Sequence, residues 1–388
     1  MLIGFFMGIS TGAGVVIAQF FGAGDLSKMK KAIHNSIALT LVIGVVLTVI
    51  GLVFNDPILK AIGVPNDVFS EASTYLSIYF WSLIFVMIYN MGSGILRSVG
   101  DSKRPLYFLI FSSIINIVLD FLFVKNFGFG VAGAGYATLI AQAISAIMVM
   151  YVLMKTEDSY KVVLKDIKFD KEILLKIIKI GLPTGFQQSI VSLSNVIVQS
   201  YINVYGASVI AGYSVTIKID GFVNLPLQAF NMAITTFVGQ NIGAKQYNRV
   251  KKGAYITTFL AMVTIGFFVV IMYFFGRDFI ALFNQEKDVI DAGRLMQLTF
   301  LPFYIFLPIN QVINGVLRGA GRSAVPMYVM IFSFVFLRQI YLFLVTKVTS
   351  DVVYVFLGWP TTWVVCSLIF IVYFFKVQWL PQEKGAEA

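Results

Sequence analysis

The chain has few of the residues that support soluble enzyme chemistry. Its 388 residues include one cysteine and one histidine, and only 12% are charged. With Cys366 alone no disulfide can form within the chain, and with His34 alone no metal site can be built from several imidazoles. No motif pairs a nucleophile with a base, and no cofactor loop is present. We therefore expect no enzymatic activity and no cofactor, and we interpret His34 as incidental.

Apolar residues dominate what is there. Hydrophobic residues make up 58% of the chain, and the mean hydropathy is +0.85. A soluble domain carries about 25% charged residues, so this composition is typical of a membrane protein with many spans. The net charge of +10 would suit nucleic acid, but the basic residues lie in short loops between apolar runs. The pattern predicts a lipid bilayer as partner, and no nucleic acid.

The fold class predicted is therefore an all-α polytopic membrane protein. Eleven runs are long enough to cross about 30 Å of hydrocarbon. The predicted helices are 1–23, 32–54, 73–96, 105–124, 130–154, 173–203, 207–240, 253–276, 293–317, 325–346 and 352–375. Pro183, Pro226, Pro302 and Pro308 are predicted to interrupt helices.

Basic residues are distributed unevenly between alternate loops. One side carries 21 of them and the other 6, which places the richer side in the cytoplasm and the N-terminus of the first helix outside. We expect a multi-pass protein of the cell (inner) membrane. The segment 155–172 alternates lysine with acidic residues, and we interpret it as a solvated cytoplasmic linker.

An internal repeat organises the chain. Residues 19–23 and 94–97 recur 221 positions later as residues 240–244 and 315–318. Because the paired loops share one side, the halves have the same orientation.

The second half begins near Lys171, so the first half lacks one helix and part of the next. We expect a mis-assigned start codon or a truncated product. The predicted domains are an incomplete N-terminal lobe 1–154, the linker 155–172, a C-terminal lobe 173–378 and a cytoplasmic tail 379–388.

Several short motifs carry a family resemblance through their order and duplication. They are Gly8, Gly12 and 18–23 in the first helix, 94–101 after the third, 181–184, 240–244 and 315–321. Together they resemble the multidrug and toxic compound extrusion (MATE) family over essentially all of residues 1–380. The resemblance implies two lobes of six helices each, here about eleven helices in all. It also implies export of drugs and metabolites in exchange for Na⁺ or H⁺ by alternating access.

The apolar helix 105–124 carries a carboxylate, Asp120. An acid within hydrocarbon is costly and by default marks a functional site. Ser113, Asn116 and Asp120 share one helix face, and Thr138 and Gln142 share a face of the next helix. Carboxylate, amide and hydroxyl oxygens suit a small cation, and a desolvated acid can instead carry a proton.

These residues divide into two predicted roles. Asn116, Asp120 and Thr138 are the cation-coupling set, for Na⁺ as metal or for H⁺, and Ser113 and Gln142 are assigned to the substrate cleft. The resemblance implies the same cation set, because the family has an Asn-x-x-x-Asp on one helix and a Thr on the next. The family's other acid lies on the first helix, which the chain as written does not contain. The alternative is a rim carboxylate that points outward or faces Lys125.

The second lobe offers further candidates. Lys218, Asp220 and Arg338 are charges within predicted helices. They form either a buried structural pair, with Asp220 facing Arg338, or a relay for substrate or protons. A polar stripe either lines the central cleft, which we favour, or bonds helices together. It comprises Gln188, Ser192, Asn195 and Gln199, with Asn310, Gln311 and Asn314 as weaker candidates.

The function predicted is secondary active efflux of small, amphiphilic, often cationic organic compounds by a monomer, with Na⁺ or H⁺ as the coupling ion. A lipid-linked oligosaccharide flippase of the same superfamily is the first alternative. An inactive truncated product is the second.

Overall fold

The computed structural model describes residues 2–380, with side chains from residue 4 onward, and the described chain is almost entirely helical. Met1 and residues 381–388 of the predicted tail lie outside the described residues. The helices are α1 (Leu2–Gly22), α2 (Leu26–Val53), α3 (Asn55–Ala61), α4 (Phe69–Ser98), α5 (Lys103–Asp120), α6 (Gly130–Lys155), α7 (Lys171–Ile202), α8 (Ala207–Gly243), α9 (Tyr247–Ala281), α10 (Lys287–Phe300), α11 (Phe306–Gly319), α12 (Ala324–Ile331), α13 (Arg338–Val348), α14 (Val352–Phe356) and α15 (Gly358–Lys376).

Each of the eleven predicted segments contains helix, so the all-α polytopic fold class is confirmed. Within residues 2–380, eight helices are long and apolar enough to cross a membrane, or nine if the bent pair α10 and α11 forms one span. The helices α7 and α8 are long enough, with 32 and 37 residues, but they carry more polar residues. The prediction missed the short helix α3, which follows α2 directly.

Prolines interrupt fewer helices than predicted. The segment 293–317, predicted as one helix, is broken between α10 and α11, which are bent by 59°. Pro302 lies in the 3₁₀ turn Leu301–Phe303 at this break. The prediction was wrong for Pro183 and Pro226, because α7 and α8 continue through them. Within a membrane bundle neighbouring groups can bond the carbonyl that a proline leaves free, so such a helix need not end.

Two helices contain a π-helical segment. Phe121–Asn126 follows directly on Asp120 at the end of α5, and Phe332–Leu337 joins α12 to α13 and ends before Arg338. A π turn is rare and occurs often at functional sites, because it widens the helix and redirects side chains. Both π segments thus lie next to charged residues that the sequence singled out.

The structure confirms the repeat. Helices end at Gly22 and Ser98 and again 221 positions later at Gly243 and Gly319. Helices begin at Leu26 and Lys103 and again, with the same offset, at Tyr247 and Ala324. The turns match as well, since Gly24 and Lys245 both have left-handed φ angles, of 70° and 58°, as do Gly100 and Gly321.

One hydrogen bond between helices is also repeated. The Ser10 hydroxyl donates to the carbonyl oxygen of Asn90 at 3.1 Å. The Asn231 amide, 221 positions after Ser10, donates to the carbonyl oxygen of Gln311 at 2.6 Å. The two halves therefore share a helix crossing as well as helix ends.

The described chain forms two compact units. The first unit comprises residues 9–181, and the second comprises 182–380 together with 2–8. In the first unit α4 packs against α2 and α6, and α5 packs against α6. In the second, α8 packs against α9, α10 and α11, while α15 packs against α11.

The outer faces of the helices are apolar. Ile117 of α5 is 67% exposed and Phe274 of α9 is 70% exposed. Large apolar side chains exposed along whole helices are unfavourable in water and favourable in lipid. This surface is the one expected of helices that lie in a bilayer.

Glycines let α1 and α7 approach each other closely in the first unit. A Cβ added at Gly12 would lie 2.5 Å from the Cα of Gly181 and 2.8 Å from the carbonyl oxygen of Ile177. Membrane helices commonly use small residues at such crossings, because backbone packing replaces the missing hydrophobic driving force. The motif glycines at residues 12 and 181 are thus explained by contact with each other.

We expect Gly12→Ala to lower the free energy of unfolding by roughly 1–3 kcal/mol, because the added methyl group forces the two backbones apart. The matched control is Gly266→Ala in α9, where an added Cβ meets nothing within 4 Å, so a gain of up to about 1 kcal/mol from helix propensity is expected. Unfolding of the purified protein in detergent measures both. Equal stability of the two variants would contradict this account of the crossing.

Candidate functional site

Asn116 and Asp120 lie one helical turn apart near the end of α5. Both side chains are partly buried. The Asn116 Nδ2 and the Asp120 Oδ1 are buried atoms without a hydrogen-bond partner among the described residues. Buried polar atoms are nearly always bonded, so two orphans on one helix face require an explanation.

Lys125 does not neutralise Asp120. Its amine lies 4.6 Å from the centroid of the Phe121 ring, and the ion pairs of the described residues include neither Lys125 nor Asp120. The alternative in which Asp120 faces Lys125 is therefore not what the structure shows.

Counted along the helices from one contact, Thr138 lies between the levels of Asp120 and Asn116. The antiparallel helices α5 and α6 pack together, and a Cβ added at Gly133 would lie 3.1 Å from Phe123. At about 1.5 Å per residue, Thr138 lies roughly 8 Å along α6 from this contact, while Asp120 and Asn116 lie roughly 4 and 10 Å along α5. Thr138 is partly buried.

The other two predicted residues of this pair of helices differ in exposure. Ser113 is exposed. Gln142 is partly buried, and its carbonyl oxygen accepts a hydrogen bond from the Ser145 hydroxyl at 2.8 Å. Neither side chain is bonded to the orphaned atoms of Asn116 and Asp120.

These residues fit a small hard cation or a proton. Rotating the Asn116 amide by 180° exchanges its nitrogen and oxygen, which brings an amide oxygen to the face that carries the orphaned Asp120 oxygen. Carboxylate, amide and hydroxyl oxygens are the ligands that hard cations prefer. A proton needs Asp120 alone. The geometry of α5 and α6 is compatible with both.

The three predicted charges of the second unit, Lys218, Asp220 and Arg338, do not pair with each other. Asp220 is buried and accepts a hydrogen bond from the Tyr304 hydroxyl. Lys218, two residues earlier, is exposed, with its amine 5.9 Å from the centroid of the Phe283 ring. The alternative of an ion pair between Asp220 and Arg338 was wrong, because both groups have neutral partners instead.

Arg338 is held by amide, hydroxyl and aromatic groups. It is 1% exposed, and its guanidinium donates to Asn195 Oδ1 at 2.8 Å and to Thr362 Oγ1 at 3.3 Å. The guanidinium carbon lies 5.0 Å from the Phe334 ring and 5.6 Å from the Trp359 ring. Cation–π attraction is strongest for desolvated cations, so the rings stabilise a charge that has no carboxylate partner in the part of the chain that the structure describes.

The predicted polar stripe of α7 lies on a more exposed side of that helix. Ser192 and Asn195 are exposed, and Gln188 and Gln199 are partly buried. The Ser192 hydroxyl donates to the Gln188 carbonyl at 2.8 Å, and the Gln199 amide donates to Asn203 at 2.9 Å. These bonds stay within α7 and its C-terminal end. Of the four residues, Asn195 bonds to another helix, through Arg338.

Two other polar residues that face the neighbours of α7 were missed. Gln187 and Ser194 are buried, at i and i+7, on a different face. The Ser194 hydroxyl donates to the Phe334 carbonyl at 2.6 Å and accepts from Gln339 at 3.1 Å. Their helical spacing was visible in the sequence, but nothing there distinguishes a buried polar stripe from an exposed one.

Arg318 was also missed. It had been assigned to a loop, but it lies in the last turn of α11 and is buried. Its guanidinium donates to Asn231 Oδ1 at 3.1 Å and to Asn314 Oδ1 at 2.9 Å. Asn310 bonds the Trp363 carbonyl and the Ser367 hydroxyl. Asn310 and Asn314 thus bond neighbouring groups inside the bundle, while Gln311 is partly buried.

Comparison with known proteins agrees with this architecture. The sequence profile of the MatE family matches residues 1–122 and 183–344. The chain belongs to the MatE family. It is 30% identical over 392 residues to the probable multidrug resistance protein YoeA of Bacillus subtilis, covering 99% of this chain and 84% of that protein. It is 24% identical over 323 residues to the multidrug export protein MepA of Staphylococcus aureus, covering 82% of this chain and 71% of MepA.

Solved structures of MATE transporters share the fold. A transporter of the MOP superfamily from Pyrococcus furiosus superposes with a TM-score of 0.91 at 23% identity, covering 96% of this chain and 83% of that chain. An outward-facing multidrug resistance MATE transporter superposes with a TM-score of 0.89 at 23% identity, with the same coverage. This MatE protein is therefore an integral membrane protein with the MATE transporter fold.

We expect Tyr304→Phe to lower the free energy of unfolding by about 1–3 kcal/mol, because the buried Asp220 loses its donor. In an Asp220→Leu background the same change should cost close to nothing, since no acceptor remains to be satisfied. The control is Tyr328→Phe, because Tyr328 is 68% exposed. Denaturant titration in detergent measures all the variants. An equal cost of Tyr304→Phe in both backgrounds would contradict the pairing.

Proposed function

We propose that this MatE protein is a secondary active exporter that exchanges Na⁺ or H⁺ for amphiphilic, often cationic, organic compounds by alternating access. The observation that carries the proposal is the pair of orphaned buried atoms, Asn116 Nδ2 and Asp120 Oδ1, on a helix of a transporter fold. The multidrug resistance and export functions named for YoeA and MepA support the substrate class.

Asp120 is the coupling group in this proposal. A carboxylate among apolar side chains is unfavourable while charged, and a bound proton or Na⁺ relieves that cost. If the carboxylate is better solvated in one conformation than in another, neutralising it shifts the population between them. The Asn116 amide and the Thr138 hydroxyl would supply further oxygens to Na⁺, while a proton would need the carboxylate alone.

The exposed stripe of α7 is the proposed substrate-binding surface. Gln188, Ser192, Asn195 and Gln199 present amides and a hydroxyl, and these bind polar atoms without fixing one charge pattern. In the first unit, Ser113 and Gln142 are separately proposed to contact substrate. A surface of this kind suits varied compounds, because its hydrogen-bonding groups can rearrange. We propose that the protein works as a monomer in the cell (inner) membrane, without a cofactor.

We expect Asp120→Asn to abolish efflux driven by a Na⁺ or H⁺ gradient, because an amide cannot take up a proton or supply a negative ligand. The matched control is Asp67→Asn, at an exposed acid between α3 and α4, which should retain full transport. Dye efflux from proteoliposomes with imposed gradients measures both. Gradient-driven efflux by Asp120→Asn at the rate of the unmodified protein would refute the coupling role.

The variants Asn116→Ala and Thr138→Ala distinguish the two ions. If Na⁺ is the coupling ion, each should raise the half-saturating Na⁺ concentration by about tenfold, the scale of one lost ligand bond of about 1.4 kcal/mol. If the ion is H⁺, both should leave proton-driven efflux within about twofold of the unmodified protein. Loss of efflux under both gradients would show instead that these side chains serve folding or substrate binding.

A further inference from the structure

The single histidine of the chain connects α2 to the segment that leads into α7. His34 is 5% exposed. Its Nδ1 lies 2.7 Å from the carbonyl oxygen of Lys30, one turn earlier in α2. Its Nε2 accepts a hydrogen bond from the backbone N–H of Val163 at 2.9 Å. The interpretation of His34 as incidental was therefore wrong.

These two bonds define the protonation state of the ring. A carbonyl oxygen can only accept, so Nδ1 carries a proton. A backbone N–H can only donate, so Nε2 carries none. The ring is thus neutral, with its proton on Nδ1. A second proton on Nε2 would place two N–H groups against each other, so the bond between Val163 and His34 can exist only while the ring is neutral.

The segment that His34 binds is packed against other parts of the first unit at several points. Tyr160 is 9% exposed and Val162 is 2% exposed. The Val162 N–H donates to the carbonyl oxygen of Leu153 at 2.8 Å, and the Arg104 guanidinium donates to the Tyr160 hydroxyl at 3.3 Å. Residues 156–170 are therefore bonded to neighbouring helices, although their composition indicated a solvated linker.

A second attachment lies at the far end of the same segment. The Asn35 amide donates to the carbonyl oxygen of Asp170 at 2.7 Å, and the Lys31 amine lies 3.5 Å from the Asp170 carboxylate. The backbone N–H of Ile173 and the charge of Lys31 hold the pKa of Asp170 below its ordinary value. This attachment thus remains charged in mild acid, and the bond to the Asp170 carbonyl involves no titrating group.

We propose that His34 is a proton-sensitive clasp that fastens residues 156–167 to α2 while neutral and releases them when its Nε2 takes up a proton. Histidine is the residue type that generally changes charge between about pH 5 and 8. The segment lies on the lysine-rich side of the protein, and it is the covalent connection to α7. The clasp is independent of the proposed coupling at Asp120. The charged and titratable groups on the elements that meet here are Lys28, Lys30 and Lys31 of α2, Asp101, Lys103 and Arg104 at the start of α5, Lys155 of α6, and Glu157, Asp158, Tyr160, Lys161, Lys165, Asp166, Lys168 and Asp170 of the segment.

Hydrogen–deuterium exchange of the full chain in nanodiscs tests the clasp. Samples at about pH 7.5 and about pH 5.5 span the range in which histidine generally changes charge, and labelling times are scaled to equal intrinsic exchange. In acid we expect peptides covering residues 160–167 to open roughly tenfold more readily, the scale of one lost hydrogen bond. Peptides covering residues 169–175 should not change, because the bond from Asn35 to Asp170 does not titrate in this range.

Two variants separate the clasp from other effects of acid. His34→Gln keeps an acceptor that cannot be protonated in this range. In this variant the exchange of peptides covering residues 160–167 should therefore be the same at both pH values. His34→Phe keeps a ring without an acceptor, so its peptides should open readily at both pH values. Equal protection of the unmodified chain at both pH values would overturn the proposal. An equal change in exchange between the two pH values in either variant would also overturn the proposal, because the change would then arise from a group other than His34.

Discussion

A polar group inside an apolar helix bundle must be bonded within the protein, because hydrocarbon offers no replacement for water. Much of the second unit follows this constraint. Arg338 and Arg318 are buried guanidiniums, and both are held by asparagine oxygens rather than by carboxylates. The buried Asp220 is bonded to a tyrosine hydroxyl. The constraint is not met everywhere, because the Nε of both arginines and four other side-chain atoms of the second unit are buried without a partner in the described structure. Among the orphaned atoms of the described residues, Asp120 Oδ1 in the first unit is the one that belongs to a carboxylate, and for this reason Asp120 carries the proposed function.

The repeat duplicated the backbone more faithfully than the polar chemistry. Helix ends and left-handed turns recur with one offset, because the paths of packed helices tolerate many side chains. Arg318 is bonded to two asparagines, Asn231 and Asn314. The residues 221 positions earlier are Ser10 and Ser93. Among the described residues, the Ser93 hydroxyl is buried without a partner. Asp120 corresponds to Tyr341. The two halves thus share the paths of their helices but differ in their buried polar side chains.

The segment between the two halves is hydrogen-bonded to neighbouring helices. Its alternating charges predict solvation, and several of its side chains are exposed, as expected. Its backbone, however, is bonded to α2 and α6 through His34, Asn35 and Leu153. A backbone N–H that leaves water needs an acceptor, and an imidazole nitrogen is an acceptor that acid removes. A regulatory contact can therefore lie in a stretch whose composition indicates nothing but a loop.

The sequence by itself determined the helical membrane fold, the eleven apolar segments, the repeat and the acid Asp120, because hydrophobic length and the cost of a buried charge are local properties. The tertiary structure alone decided which polar residues meet. It bonded Ser194 rather than Ser192 to a neighbouring helix, and it broke the helix at Pro302 but not at Pro183. Helical spacing shows which residues share a face, but the partner of that face depends on packing between segments far apart in the chain.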